Sequence, residues 1–459
     1  MEILILVVFV IGYAFIALEH PFKIDKAASA LVTGTLCWAI FVLGSSAVPG
    51  HLGQGFAEFL AGYTGDSSTS MAMFFEHRLL HHMEEIASIL FFLMGAMTIV
   101  ELVDAHEGFA VITDKIKTTN AVKLLWIVGV LTFFFSAALD NLTTTIVMIS
   151  LLRKLIEDKP TRWFFVGIVV IAANAGGAWS PIGDVTTTML WIGGQLSTPV
   201  IITHLFIPSL VCLVVPLTIA SFTMKGPIKR PRKAEGQEHY IEPTTNFERN
   251  LIFTLGICGL LFVPVFKTIT HLPPFMGMML SLGVIWTVTE ILHRKKNIED
   301  KSHLSVVGVL RKIDTASVLF FLGILLAVAA LAEVGHLLTM AQWLREELNN
   351  IFAINIAIGM LSAIVDNVPL VAASMGMYDI APSGTVDAWG KMFVADGDFW
   401  QFLAYCAGTG GSALIIGSAA GVAAMGLERI DFIWYLKKIS LLAIFGYLAG
   451  AFVYILMFS

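Results

Sequence analysis

The sequence predicts an all-α protein that crosses a membrane many times. Composition is the first observation: of 459 residues, 57% are hydrophobic and only 14% are charged. Mean hydropathy is the second, at +0.82. A soluble domain carries about 25% charged residues and at most about 50% apolar ones. The third observation is that the apolar residues gather into runs of about 20, the length that spans a bilayer. Together these exclude a soluble enzyme, a nucleic-acid binder and a disordered chain. The net charge of −6 names no anionic partner. Cys37, Cys212, Cys258 and Cys406 lie far apart in apolar runs, without metal-ligand spacing. The opening Met-Glu lacks a basic head, so the first run reads as a retained span, not a signal peptide.

Ten apolar segments read as crossings: 2–19, 27–45, 86–103, 163–196, 200–223, 249–268, 275–292, 315–337, 398–426 and 439–458. Segments 121–156 and 351–378 read as re-entrant hairpins. Each has an Asp-Asn pair near its centre. Segments 163–196 and 398–426 have glycine-rich interruptions and read as discontinuous helices. Irregular backbone at membrane depth is tolerated only inside protein or beside a wet cavity. The least apolar stretch, 225–248, holds Lys229, Arg230, Arg232 and Lys233 and reads as a cytoplasmic linker between halves 1–224 and 249–459.

Basic loops stay in the cytoplasm. These are Lys23/Lys26, Lys115–Lys123, Arg153–Arg162, 225–233, His293–Lys312 and Arg429–Lys438. Loops 46–85, 197–199, 269–274 and 379–398 then lie outside, with both termini. Basic loops flank 121–156 on both sides, so this segment enters from the cytoplasm and returns. The segment 351–378 is its counterpart from outside.

The halves match each other by hand. Ser88-Ile-Leu-Phe-Phe-Leu corresponds to the segment beginning Ser317-Val-Leu, and Ser136-Ala-Ala-Leu-Asp-Asn to the one beginning Ser362-Ala-Ile. The segment from Ala175 to Asp184 corresponds to that from Thr409 to Ser418. Five crossings per half, an odd number, insert the second half upside down. Such inverted repeats are common in secondary transporters, with ion sites at the repeat interface.

Three isolated carboxylates sit in otherwise uncharged stretches: Asp140 in 124–152, Asp184 in 163–224 and Asp366 in 351–378. A charge in hydrocarbon costs at least ~2.5 kcal/mol on insertion scales and persists for a function or a partner. One reading makes each Asp a cap of a half-helix. The other makes each carboxylate hold a proton or a metal cation, two ligands that compete for the same oxygens. Asn141, Asn174, Thr143, Thr144, Thr186, Thr187, Ser362, Asn367, Thr409, Ser412 and Ser418 supply neutral oxygens, which hard cations prefer. A second polar group surrounds the third span: His77, His81, His82, Glu84 and Glu85, then Glu101, Asp104, His106 and Glu107, with Asp314 and Glu333 on the equivalent later span. It reads either as solvated helix ends or, at His81, His82, Glu84 and Glu85, as a proton path or pH sensor.

The segments Ser136–Thr145, Asn174–Thr188 and Ser362–Pro369 resemble those of NhaD-type sodium/proton antiporters of the ion transporter superfamily, and the resemblance covers nearly the whole chain. It implies two inverted repeats, a homodimer in a bacterial-type inner membrane, no cofactor, and Na⁺, Li⁺ and H⁺ as transported ions. It places Asp140, Asn141, Asn174, Asp184, Thr186, Thr187, Ser362, Asn367 and Ser418 in the ion path, with Na⁺ at Asp140 and Asp184, and acidic residues near Glu84 and Glu85 also implicated. Asp366 is expected to help from the second hairpin. Ser418 stands where Asp184 stands, and Leu414 where Ser180 stands, so the two broken helices are not equivalent. The alternatives are a sodium-coupled dicarboxylate symporter, an arsenite exporter of similar fold, and a channel.

Overall fold

The computed structural model describes residues 1–17, 19–47, 56, 59–61, 70–113, 115–224, 226–231, 244–294, 296 and 303–458. The principal helices are α1 (Glu2–Ala17), α2 (Lys26–Ala47), α3 (Ser70–Ala105), α4 (Ala121–Leu139), α5 (Asn141–Leu155), α6 (Lys159–Ala178), α7 (Val185–Ile192), α8 (Thr198–Thr223) and α9 (Asn246–Thr270). They continue as α10 (Pro274–Leu292), α11 (Thr315–Glu333), α12 (His336–Leu348), α13 (Ile351–Leu361), α14 (Asn367–Met377), α15 (Asp398–Gly410), α16 (Ala419–Glu428), α17 (Phe432–Lys438) and α18 (Ser440–Phe458). Among the described residues there is no β-strand, only two isolated bridges. Nine helices there are long and apolar enough to cross a membrane, α4 among them. The protein is therefore an all-α, multi-pass membrane protein.

The chain divides into two compact units. The first comprises Met1–Phe91, Asp314–Asn349 and Ala372–Asp379. Within it α2 packs on α11 at a point where neither helix has a side chain. A Cβ on Gly34 would meet the Gly323 carbonyl, and one on Gly323 would meet the Ala30 backbone. Small residues let helix backbones approach this closely in a membrane. Trp38 Nε1 donates to the Leu326 carbonyl at 2.9 Å beside this contact.

The start of α3 departs from the sequence expectation. Residues 70–85, expected in an outer loop, are helical. Arg78 and His82, four apart on one face, both bind the Glu333 carboxylate, whose side chain is 6% exposed, which gives this polar stretch a reason to stay helical.

The second unit comprises Phe92–Ile313, Asn350–Val371 and Ile380–Ser459. In it α4 and α5 are joined at the single residue Asp140, whose φ of 96° and ψ of 160° stop the first helix. Their outer ends lie together. Ile228 N–H donates to the Thr119 carbonyl at 2.7 Å, and Glu157 N–H to the Lys229 carbonyl at 3.0 Å. Arg230 reaches the Ile116 carbonyl at 3.0 Å. The chain thus doubles back at Asp140, and the basic stretches 115–123, 153–162 and 226–231 meet at one end. Residues 232–243 of the expected linker lie outside the described residues. Its last residues start α9 with a capping box between Thr245 and Glu248. Asp158 caps α6, and the hydroxyl and N–H of Thr161 hold its carboxyl below the usual carboxylate range. Loop residues Ser197 and Asp396, expected on the opposite side, are joined by a 2.6 Å bond from the Ser197 N–H.

The two glycine-rich breaks are packed alike. A Cβ on Gly176 would strike the Phe133 carbonyl, and one on Gly410 the Gly359 carbonyl. Gly183 rests on the backbone at Ser136 and Ala137, and Gly417 on that at Ser362 and Ala363. Ser136 Oγ donates to the Ala173 carbonyl at 2.6 Å, and Ser362 Oγ to the Ala407 carbonyl at 3.0 Å. Each pair links positions that the sequence repeat makes equivalent.

Gly176→Ala or Gly410→Ala should therefore destabilise the purified protein by about 1–3 kcal/mol. Gly283, in α10, has open space around its Cβ position. Gly283→Ala should leave thermal unfolding unchanged or slightly raised, and melting curves of the three variants in one detergent compare them directly.

Candidate ion-binding site

The site forms where three helix breaks meet. Asp184 follows the turn Ser180-Pro181-Ile182-Gly183 and caps α7. Its Oδ1 accepts from the Thr186 N–H at 2.9 Å and the Thr186 hydroxyl at 2.7 Å. Its Oδ2 accepts from Asn141 Nδ2 at 2.6 Å. Asn367 Nδ2, opening α14, lies 3.5 Å from Oδ1. Asp184 is 1% exposed.

Asn174 extends the cluster to the second break. Its Oδ1 accepts from Asn141 Nδ2 at 3.1 Å. Its Nδ2 donates to Ser412 Oγ and Ser418 Oγ, both at 2.9 Å. Ser418 caps α16, accepting from the Gly421 N–H at 3.2 Å. One amide on α6 therefore joins the first broken helix to the second, and it is fully buried.

Asp140 stands one residue from Asn141. Its carboxylate accepts from the N–H and the hydroxyl of Thr143, both at 2.8 Å, and so caps α5. A positive φ on a non-glycine residue stores strain that the surroundings must hold. Here the capping bonds hold it. The Thr144 hydroxyl, one turn along, is buried with no hydrogen-bond partner among the described residues. Unmatched buried hydroxyls are uncommon and leave a lone pair available.

Six expected residues thus come together through hydrogen bonds: Asn141, Asn174, Asp184, Thr186, Asn367 and Ser418. Three more stand around the breaks. Thr187 Oγ1 reaches the Gly177 carbonyl at 3.4 Å, Ser362 is spent on Ala407, and Asp366 faces the Val368 N–H at 3.5 Å. Ser412 belongs to the cluster although the family resemblance does not name it. In the first unit, His82 Nε2 lies 2.8 Å from Glu333 Oε1 and Arg78 clasps the same carboxylate. His81, Glu84 and Glu85 are exposed there.

Residues 4–395 match the family described as "Citrate transporter" (CitMHS). The chain is similar to "Sodium/proton antiporter 1" of Arabidopsis thaliana, 45% identical over 99% of this chain and 72% of that protein. "Sodium/proton antiporter 2" of the same plant is 42% identical over 97% of each. "Na(+)/H(+) antiporter NhaD" of Vibrio cholerae is 30% identical over 98% of this chain and 91% of its own length. The chain belongs to the family of the NhaD-type sodium/proton antiporters. As a member of this antiporter family the protein is a transporter and not an enzyme.

Asn174→Ala would leave Asn141, Ser412 and Ser418 without their shared partner. It should destabilise the protein by about 1–3 kcal/mol, more than loss of one exposed hydrogen bond. Chemical unfolding of the detergent-purified variant against the unsubstituted protein measures the difference.

Proposed function

We propose that this protein exchanges Na⁺ for H⁺, with the Asp184 carboxylate taking a proton and a cation in turn. The observation that carries this proposal is the shell around Asp184. Asn141, Thr186 and Asn367 are its donors, and all are neutral. Among the described residues no Lys or Arg forms an ion pair with Asp184 or Asp140. A buried carboxylate without a counter-charge is costly. It is neutralised by a proton, or by a small cation that exchanges its water for oxygen ligands. Both use the same lone pairs, so one leaves when the other arrives.

Asp140 is the second carboxylate of the exchange, and Asp366 assists from the other hairpin. Asn141, Asn174, Thr186, Thr187, Ser362, Asn367 and Ser418 line the path. Li⁺, smaller and equally hard, is carried with Na⁺. The halves 1–224 and 249–459 form two inverted repeats, with 121–156 and 351–378 as hairpins and with both termini outside. Moving these breaks against the remaining spans gives alternating access. The protein works as a homodimer in a bacterial-type inner membrane. The names of the Arabidopsis and Vibrio relatives support the choice of ions.

The family description keeps a second reading in view, cation-coupled uptake of citrate or a similar carboxylate. An anionic substrate wants free N–H groups at helix starts. Two of the starts at this site are occupied by carboxylates, Asp140 on α5 and Asp184 on α7. That arrangement repels a second anion and suits a cation.

Vesicles holding a pH gradient should lose it on addition of Na⁺ or Li⁺. Asp184→Asn should reduce the rate at least about 100-fold, since a neutral amide can neither bind the proton nor balance the cation. A protonated carboxylate cannot ligate Na⁺. The apparent Na⁺ KM should therefore fall as pH rises, by about tenfold per unit for one competing proton, until the carboxylate is fully ionised. Citrate accumulation without Na⁺/H⁺ exchange would overturn this reading in favour of the second.

A further inference from the structure

Far from the cluster, α5, α6 and α16 are tied together by one buried carboxylate. The Glu428 side chain, at the end of α16, is 2% exposed. Its Oε1 accepts from Arg153 Nε at 2.6 Å, and its Oε2 from Arg162 Nε at 2.9 Å. Arg153 stands in the last turn of α5 and Arg162 in the first turn of α6. Further bonds close the joint. Trp163 Nε1 donates to the Glu428 carbonyl at 3.1 Å. Arg153 Nη2 donates to the Leu427 carbonyl. Arg162 Nη1 donates to the Ile156 carbonyl at 2.9 Å.

The opposite ends of these three helices carry the ion cluster. Asn141 opens α5, Asn174 lies in the last turns of α6, and Ser418 caps α16. From Glu428 to Ser418 is ten residues of α16, about 15 Å at 1.5 Å per residue. From Arg153 to Asn141, and from Arg162 to Asn174, is twelve residues each, about 18 Å. The helices pack on one another over this length. Three legs thus run from one joint to one site, and their spacing at the joint sets their spacing at the site.

We infer that Glu428 is a positioning residue for ion binding: with Arg153 and Arg162 it holds the helix ends that place the Asn174 amide between Asn141, Ser412 and Ser418. The residue touches no ion. It acts through the register of α16 against α5 and α6. A sliding α16 would separate Ser418 from Asn174 while leaving Asp184 capped by Thr186. Ion affinity should therefore suffer more than the exchange step. The inference rests on the exchange reading of the cluster.

Initial exchange rates against Na⁺ concentration in proteoliposomes test it, with the unsubstituted protein alongside. Glu428→Gln keeps the shape and loses the charge that holds two guanidinium groups. Its Na⁺ KM should rise at least about tenfold, as for other residues that orient ligands from behind, with the maximal rate within about twofold. Glu428→Asp, which keeps the charge, should recover part of the affinity. Arg162→Lys should raise KM in the same direction, and it decides the matter if Glu428→Gln does not reach the membrane folded. An unchanged KM, with only maximal rate or yield reduced, would overturn the inference and leave a purely structural joint. If the unsubstituted protein exchanges no Na⁺ for H⁺, the reading of the site fails, and not the joint.

Discussion

A carboxylate enclosed by neutral hydrogen-bond donors is the constraint around which this structure is arranged. Asp184 is 1% exposed, and among the described residues no Lys or Arg forms an ion pair with it. Its three donors, Asn141, Thr186 and Asn367, come from three separate helix starts. Each start exists because a helix breaks inside an apolar run. The breaks and the buried charge therefore explain one another: without the breaks there are no donors at this depth, and without the carboxylate the start of α7 lacks its cap.

The breaks have identifiable causes. At Asp140 the backbone takes a positive φ and the side chain caps the following helix through Thr143. At Pro181 the ring removes an N–H, while Ser180 Oγ donates to the Ala137 carbonyl at 2.5 Å and pins the turn. Gly176 and Gly410 let the carbonyls of Phe133 in α4 and Gly359 in α13 lie where a side chain would stand. The glycine contacts recur in the second half, but the positive φ of Asp140 and the Ser180 bond do not: Leu414 stands where Ser180 stands, and Ser418 where Asp184 stands. The two glycine-rich breaks are thus packed alike, Asp184 belongs to the first, and Asn174 joins them.

Much of this was legible in the sequence. Long apolar runs fix the membrane class. An Asp or a glycine pair inside such a run marks a break, because little else tolerates it there. The match between the halves stands out in the sequence because serine, asparagine and glycine contrast with leucine and valine. What was hidden is side-chain reach between distant segments. Nothing in the sequence pairs Asn174 with Ser412, 238 positions away. Nor does anything in the sequence pair the buried Glu428 with Arg153 and Arg162. Residues 70–85 look like loop by hydropathy, and are helical because Arg78 and His82 share Glu333. Polar side chains announce their position in a membrane protein but not their partners.

The proposed exchange requires that one proton leave as one cation binds at a shared carboxylate. Proton release on adding Na⁺ to weakly buffered, detergent-purified protein measures this without any transport step. Saturable release is expected from the unsubstituted protein and none from Asp184→Asn. Saturable Na⁺ binding with no proton released, or equal release from both proteins, would contradict it.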